Sequence, residues 1–191
     1  MRAAGGAGVA LAFAGLAVAC GGLRRPGLDP TEHVRGEHFR LVQEPPERLW
    51  PVLITAVEAA GYRIQRADRE RRVLVTGVRQ FGPDATRRLG EIADLAEARR
   101  AGLRRPTDLF VTYCVFVLPA DAASRLKVTS RIQVVDRSQA TFFGPGLWPV
   151  VPRSVELPSR GVVEREFVRQ VASELLTSEE MLLQLGEPGL D

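Results

Sequence analysis

The side chains able to do chemistry are few, and their spacing limits what they can do. There are two cysteines, Cys20 and Cys114, and two histidines, His33 and His38. Nucleophilic catalysis needs a base within reach of the nucleophile and a third group to orient that base. The histidines stand together near the N-terminus, with no serine and acid placed to complete such a set and no second ligand-type residue at metal spacing. Acidic residues lie in arginine-laced stretches such as 66–72, which read as solvated ion pairs rather than as two carboxylates on a rigid frame. Gly144, Pro145 and Gly146 form a glycine-rich turn, but no lysine and Ser/Thr follow at the spacing that cradles phosphate. Glu164 and Glu166 stand near an expected helix start, where they complement the dipole. No catalytic residue, cofactor or metal is expected, and the chain reads as a non-enzyme.

Cys20 differs because of what precedes it. Arg2 supplies a short positive region, and residues 3–19 are an uncharged run of Ala, Gly, Val, Leu and Phe. Such a run is a secretory signal, short of the roughly 20 strongly apolar residues that span a bilayer. It ends in Leu16, Ala17, Val18, Ala19, Cys20 and Gly21, which resembles the lipobox of bacterial lipoproteins. The resemblance implies cleavage after Ala19 and lipid on Cys20. An ordinary signal peptide with an incidental cysteine is the alternative. Acyl chains add about 0.8 kcal/mol per buried CH₂, so several together make a lasting anchor. Gly21, where Asp is absent, implies the outer membrane if the source is Gram-negative. With Cys20 acylated, Cys114 has no partner, so the domain is expected to rely on its core, with Cys114 as a buried small hydrophobe.

Charge excludes one class of partner. The net formal charge is +3, Lys127 is the only lysine, and basic and acidic residues interleave. Nucleic-acid binding wants a one-sided basic face, so no nucleic acid is expected.

The elements that would position any site divide the chain into a signal peptide (1–19), a Gly/Pro-rich tether (20–37), an α+β domain (38–185) with a helical insert (84–102), and a polar tail (186–191). Residues 39–42 suggest a strand. Residues 47–60 suggest a helix with Trp50, Leu53, Ile54 and Val57 on one side, either kinked at Pro51 or beginning at Trp50 with Pro51 in its first turn, and ended by Gly61. Alternation at 62–66 and 73–78 around a charged turn predicts a hairpin. Residues 84–101 predict one helix, with Leu89, Ile92 and Leu95 inward; its arginine-rich ends (Arg87, Arg88, Arg99, Arg100) leave a membrane-surface role as the alternative. Residues 109–118 are apolar enough for a strand buried on both faces, and 126–134 alternate as a strand with one wet face. After Ser159, read as an N-cap, Val163, Phe167, Val171 and Leu175 recur at fourfold spacing, and Thr177 and Ser178 suggest a brief restart. Strands and helices do not alternate strictly, so the class is α+β, an antiparallel sheet with helices packed on one face.

The stretch 46–64, with Trp50, Gly61, Tyr62 and Ile64, resembles a unit of helix-grip lipoproteins such as the BamC-like accessory lipoproteins of the β-barrel assembly machinery. The resemblance covers 39–78 and, loosely, 159–176. It implies a single helix-grip-like domain here, with an inward Trp, a C-terminal helix closing the sheet, and a binding or scaffolding role among cell-envelope proteins.

Residues 138–158 are too long for an ordinary connection and carry Phe142, Phe143 and Trp148 around a Gly-Pro-Gly turn. These aromatics either cap the sheet or form a partner contact at a stiff tip. Two function classes follow: a membrane-anchored binding or scaffolding lipoprotein, and a periplasmic carrier of lipid or a small ligand in a helix/sheet groove.

Overall fold

The structure, a computed structural model, describes the backbone of residues 30–138 and 153–185, and side chains within 30–82, 84–138 and 153–175. Cys20 and the aromatic set Phe142, Phe143 and Trp148 lie outside these residues.

Strand β1 (His38–Val42) leads into helix α1 (Pro46–Ala59), whose first residue is a proline with φ preset for the helix. The helix starts there and runs through Pro51. Pro51 and Glu47 are both exposed, so the bond that proline cannot donate is lost on the wet side. Its opposite side buries Leu49, Trp50, Leu53, Ala56 and Val57. The helix closes in a Schellman motif: Tyr62 N–H donates to the Val57 carbonyl and Gly61 N–H to that of Glu58, with Gly61 at φ +81°.

The hairpin pairs β2 (Ile64–Asp68) with β3 (Val73–Thr76). Its second strand stops short of the expected residue 78. Beyond Gly77 a separate strand, β4 (Arg79–Phe81), pairs with β5. The single helix expected over 84–101 is three short ones, α2 (Pro83–Arg87), α3 (Leu89–Ile92) and α4 (Leu95–Arg100). The cause is local. Ala93 is extended and bridges Ser159, Asp94 N–H donates to the Pro158 carbonyl, and the Asp94 side chain caps α4 by accepting from Ala96 N–H. Leu89 and Ile92 do face inward, but Ala98 is buried where Leu95 is only partly so.

Strands β5 (Asp108–Ala120) and β6 (Ala123–Asp136) form one long hairpin about Asp121. Strand β7 (Arg153–Leu157) pairs with β6, and α5 (Val162–Leu185) follows without a break at Thr177. Every strand pairing is antiparallel; the order is β1-β6-β5-β3-β2, with β7 beside β1 on the same side of β6. The fold is α+β, with α1 and α5 on one face of the sheet.

Alternation assigns the faces. Leu109, Val111, Val115, Leu126, Val128, Ile132 and Val134 pack against Leu53 and Val57 of α1 and Val163, Phe167, Val171 and Leu175 of α5. Tyr113 stacks on Phe167 at 4.4 Å, and Tyr62 meets both rings edge-on. The opposite face carries Val73, Cys114 and Phe116, themselves buried, so β5 is dry on both sides as its composition predicts. The wet face expected for β6 is interrupted: Lys127 and Thr129 point away from the helices yet are buried.

Candidate functional site

Among the described residues, Ser124, Lys127, Thr129 and Asp136 of β6 are buried polar groups, as are Thr76, Ser159 and Glu164, and three of the seven, Lys127, Glu164 and Asp136, tie a non-regular segment to the sheet. At Lys127 the ammonium donates to the main-chain carbonyls of Pro30 (3.0 Å) and Glu32, and pairs with the Glu37 carboxylate at 3.0 Å. Its side chain is 2% exposed. The segment 30–37, the end of the expected tether, is thus strapped to the sheet rather than hanging free. Burial alone would raise the Glu37 carboxyl, but hydrogen bonds from His33, Lys127 and the Val34 N–H outweigh it and bring it down to about 2. Arg35 pairs with Asp94 at 2.8 Å, fastening the strap to the helical insert. Gly36 has φ +83°, and a Cβ there would lie 2.8 Å from Ser159 and from the Gly161 N, so only glycine fits where the strap meets the start of α5.

The second centre is Glu164, fully buried. Its Oε1 accepts from Ser130 Oγ of β6 at 2.5 Å, and its Oε2 from Ser159 Oγ at 2.8 Å. Ser159 Oγ in turn accepts from Gly161 N–H. Ser159 therefore braces the turn before α5 instead of occupying the expected N-cap, which falls next to Val162. Glu164 is more than a dipole complement: it joins helix, loop and strand. Burial holds its carboxyl above the ordinary value although the two serine hydroxyls act to lower it. Sequence reading missed this role because the acid looks like any first-turn glutamate; its closeness to Ser130 and Ser159 exists only in the fold.

The third is Asp136, also fully buried, at the end of β6. Its Oδ2 accepts from the N–H groups of Arg104 and Arg105, both at 2.8 Å, and its Oδ1 from the N–H and hydroxyl of Ser138. Burial opposes ionisation, but bonds from Ser138, Arg105 and Arg104 prevail and hold the carboxyl at about 2. The loop before β5 is thereby set in one conformation, with Arg104 and Arg105 exposed.

Cys114 is 2% exposed, and burial pushes its thiol up to about 12, so it is inert as a nucleophile. Between the helices and the sheet, Leu53, Val115, Leu126, Val128, Phe167 and Val171 line a void of about 10 Å³. That is room for about one water, far below the hundreds of Å³ that enclose a small ligand. Among the described residues, no buried side-chain polar atom lacks a hydrogen-bond partner. Among the described residues the interior polar groups are thus satisfied, and this void is small.

No protein-family model matches the chain. A search of curated proteins returns no match either.

Proposed function

We propose that the chain is a lipid-anchored lipoprotein of the cell envelope, most simply of the outer membrane facing the periplasm, whose α+β domain acts as a binding or scaffolding module. The observation that carries the reading is the Lys127 clasp. Ten residue steps separate Cys20 from Pro30, a reach of at most about 35 Å, and at Pro30 the chain is gripped by a buried ammonium. A lipid on Cys20 would hold the domain near the membrane by a fixed point on the sheet. The likeness of residues 46–64 to BamC-like lipoproteins supports a helix-grip binding role, with outer-membrane protein assembly, in its wider sense of scaffolding partners, as its setting, and the order of strand, Trp-bearing helix, antiparallel sheet and closing helix is consistent with it. The carrier reading finds no favouring observation in the small void beneath the helices.

The test is Cys20→Ser in the full chain. Expression followed by membrane fractionation is expected to show a chain left unprocessed or released from the lipid-anchored fraction. Processing at the same site with unchanged membrane retention would refute the anchor.

A further inference from the structure

The arginines of this chain are not all neutralised where they stand. Arg87 pairs with Asp84, Arg88 with Glu91, Arg100 with Glu97 and Arg137 with Asp108. Arg99, Arg104, Arg105 and Arg153 have no carboxylate partner among the described residues, and all four are exposed. The backbone brings them to one end of the sheet. Arg153 is the β7 partner of Asp136, and its guanidinium lies 2.9 Å from where a Gly102 Cβ would stand. Arg104 and Arg105 hang on Asp136 itself, and Arg99 receives the Gly102 N–H on its carbonyl. Among the described residues, the carboxylates at this end are Glu97 and Asp108, both already paired, and Asp136, which is buried and turned inward. One loop cluster therefore shows as much net positive charge as the whole chain carries, and the backbone N–H groups of Arg104 and Arg105 are both held by one carboxylate.

We infer that this arginine end of the domain, centred on Arg104, Arg105 and Arg153, docks on the anionic headgroups of a phospholipid bilayer. The choice of a membrane as the partner rests on the lipid-anchor reading: a tether of at most about 35 Å keeps this face within reach of a bilayer surface. The charge itself does not depend on that reading. Guanidinium groups bind phosphate oxygens in pairs, and a basic cluster beside a membrane gains affinity with each residue that reaches the surface. The arrangement presents exposed guanidinium groups from α4, the loop after it and β7, which suits a flat polyanionic surface. An acidic protein is the competing occupant.

The experiment uses the unlipidated chain from Gly21 onward, which keeps the strap and every core residue between Val42 and Leu175. Co-sedimentation with phosphatidylcholine vesicles, with and without phosphatidylglycerol, is expected to show binding only to the anionic vesicles, weakening as ionic strength rises. Arg104→Glu with Arg105→Glu and Arg153→Glu is expected to lower the partition on the order of 100-fold. The control, Arg63→Glu with Arg69→Glu and Arg71→Glu, makes the same change of charge at exposed positions around the β2–β3 hairpin and is expected to bind nearly as well as the parent. If the first triple variant does not fold, judged by its melting curve, Arg→Gln at the same three positions replaces it and is expected to lose most of the binding. Equal loss in both triple variants, binding to neutral vesicles alone, or no vesicle binding by the parent chain overturns the inference; in the last case an acidic protein takes the membrane's place. Because the chain tested carries no lipid, this result and the Cys20→Ser result can fail separately.

Discussion

Replacing Lys127 by Met keeps the length and apolar contacts of the side chain beside Phe39 and Phe116 while removing the charge that holds the strap. Two carbonyls, of Pro30 and Glu32, lose this donor, and the Glu37 carboxylate loses its ion-pair partner while keeping His33 and the Val34 N–H. Hydrogen bonds to a charged group are worth about 1.5–3 kcal/mol each, but here much of the loss is recoverable, because residues 30–37 can lift off and rehydrate. We expect about 3 kcal/mol for the strap and a smaller loss for the rest of the domain, whose core does not include it. The assay is limited trypsin digestion at the Arg35–Gly36 bond, held in the parent by the Arg35–Asp94 pair and the close fit of Gly36. Lys127→Met is expected to expose that bond, while Lys127→Met with Glu37→Gln, which no longer strands a carboxylate, is expected to recover about 1–2 kcal/mol. The pH dependence has a definite sign. Glu37 titrates at about 2 in the folded chain against an ordinary 4.5, so its contribution is complete above 4.5 and disappears as pH falls from 4.5 toward 2. The stability difference between the parent and Glu37→Gln is expected to close over that window. A Lys127→Met chain as resistant to trypsin as the parent at Arg35, with an unchanged melting temperature, would refute the clasp.

Three further outcomes are expected. Phe167→Ala, which deletes a ring stacked on Tyr113 and in contact with Tyr62, should cost about 3–5 kcal/mol in urea denaturation; an unchanged midpoint would mean that α5 is not core. Glu164→Ala strands the Ser130 and Ser159 hydroxyls and should cost about 1–3 kcal/mol, whereas Glu164→Gln can still bond both and should be neutral or stabilising at neutral pH. The sign follows from a carboxyl raised above 4.5: the folded state is penalised as pH rises through and beyond that value, and the amide removes this dependence. For the aromatic segment, the partner-contact reading requires that Phe143→Ser with Trp148→Ser leave the melting temperature nearly unchanged while abolishing co-purification of an envelope partner; the sheet-capping reading requires a markedly lower melting temperature.

What was legible in the sequence was local or periodic. The fourfold run of Val163, Phe167, Val171 and Leu175 reports α5 because every member faces the same way, and Gly61 reports the end of α1 because the αL position there needs no other information. The apolar run at 109–118 reports a strand covered on both faces. The insert misled because residues 84–101 have helical composition, while the break at Ala93 and Asp94 is imposed by Pro158 and Ser159, more than sixty residues away. In the sequence Lys127 is the only lysine and Glu164 a first-turn acid, and neither pattern discloses a partner. Lys127 acts through Pro30, Glu32 and Glu37, and Glu164 through Ser130 and Ser159, all distant in sequence except Ser159.

Strand β6 explains why these partners had to come from the fold. Its helix-facing positions, Leu126, Val128, Ile132 and Val134, supply core, and the same alternation places Ser130 and Asp136 on that face and Lys127 on the other. Each of the three polar residues stands where β6 meets a segment with no regular partner of its own: the strap at Lys127, the turn into α5 at Ser130 and the arginine loop at Asp136. A backbone segment lying on a sheet without strand pairing leaves N–H and C=O groups to be satisfied, and side chains of the sheet are the nearest donors and acceptors. A carboxylate answers N–H groups at Arg104 and Arg105, and an ammonium answers carbonyls at Pro30 and Glu32. Exchanging the two charges would therefore fail at both places, because each buried ion is matched to the polarity of the backbone laid across it.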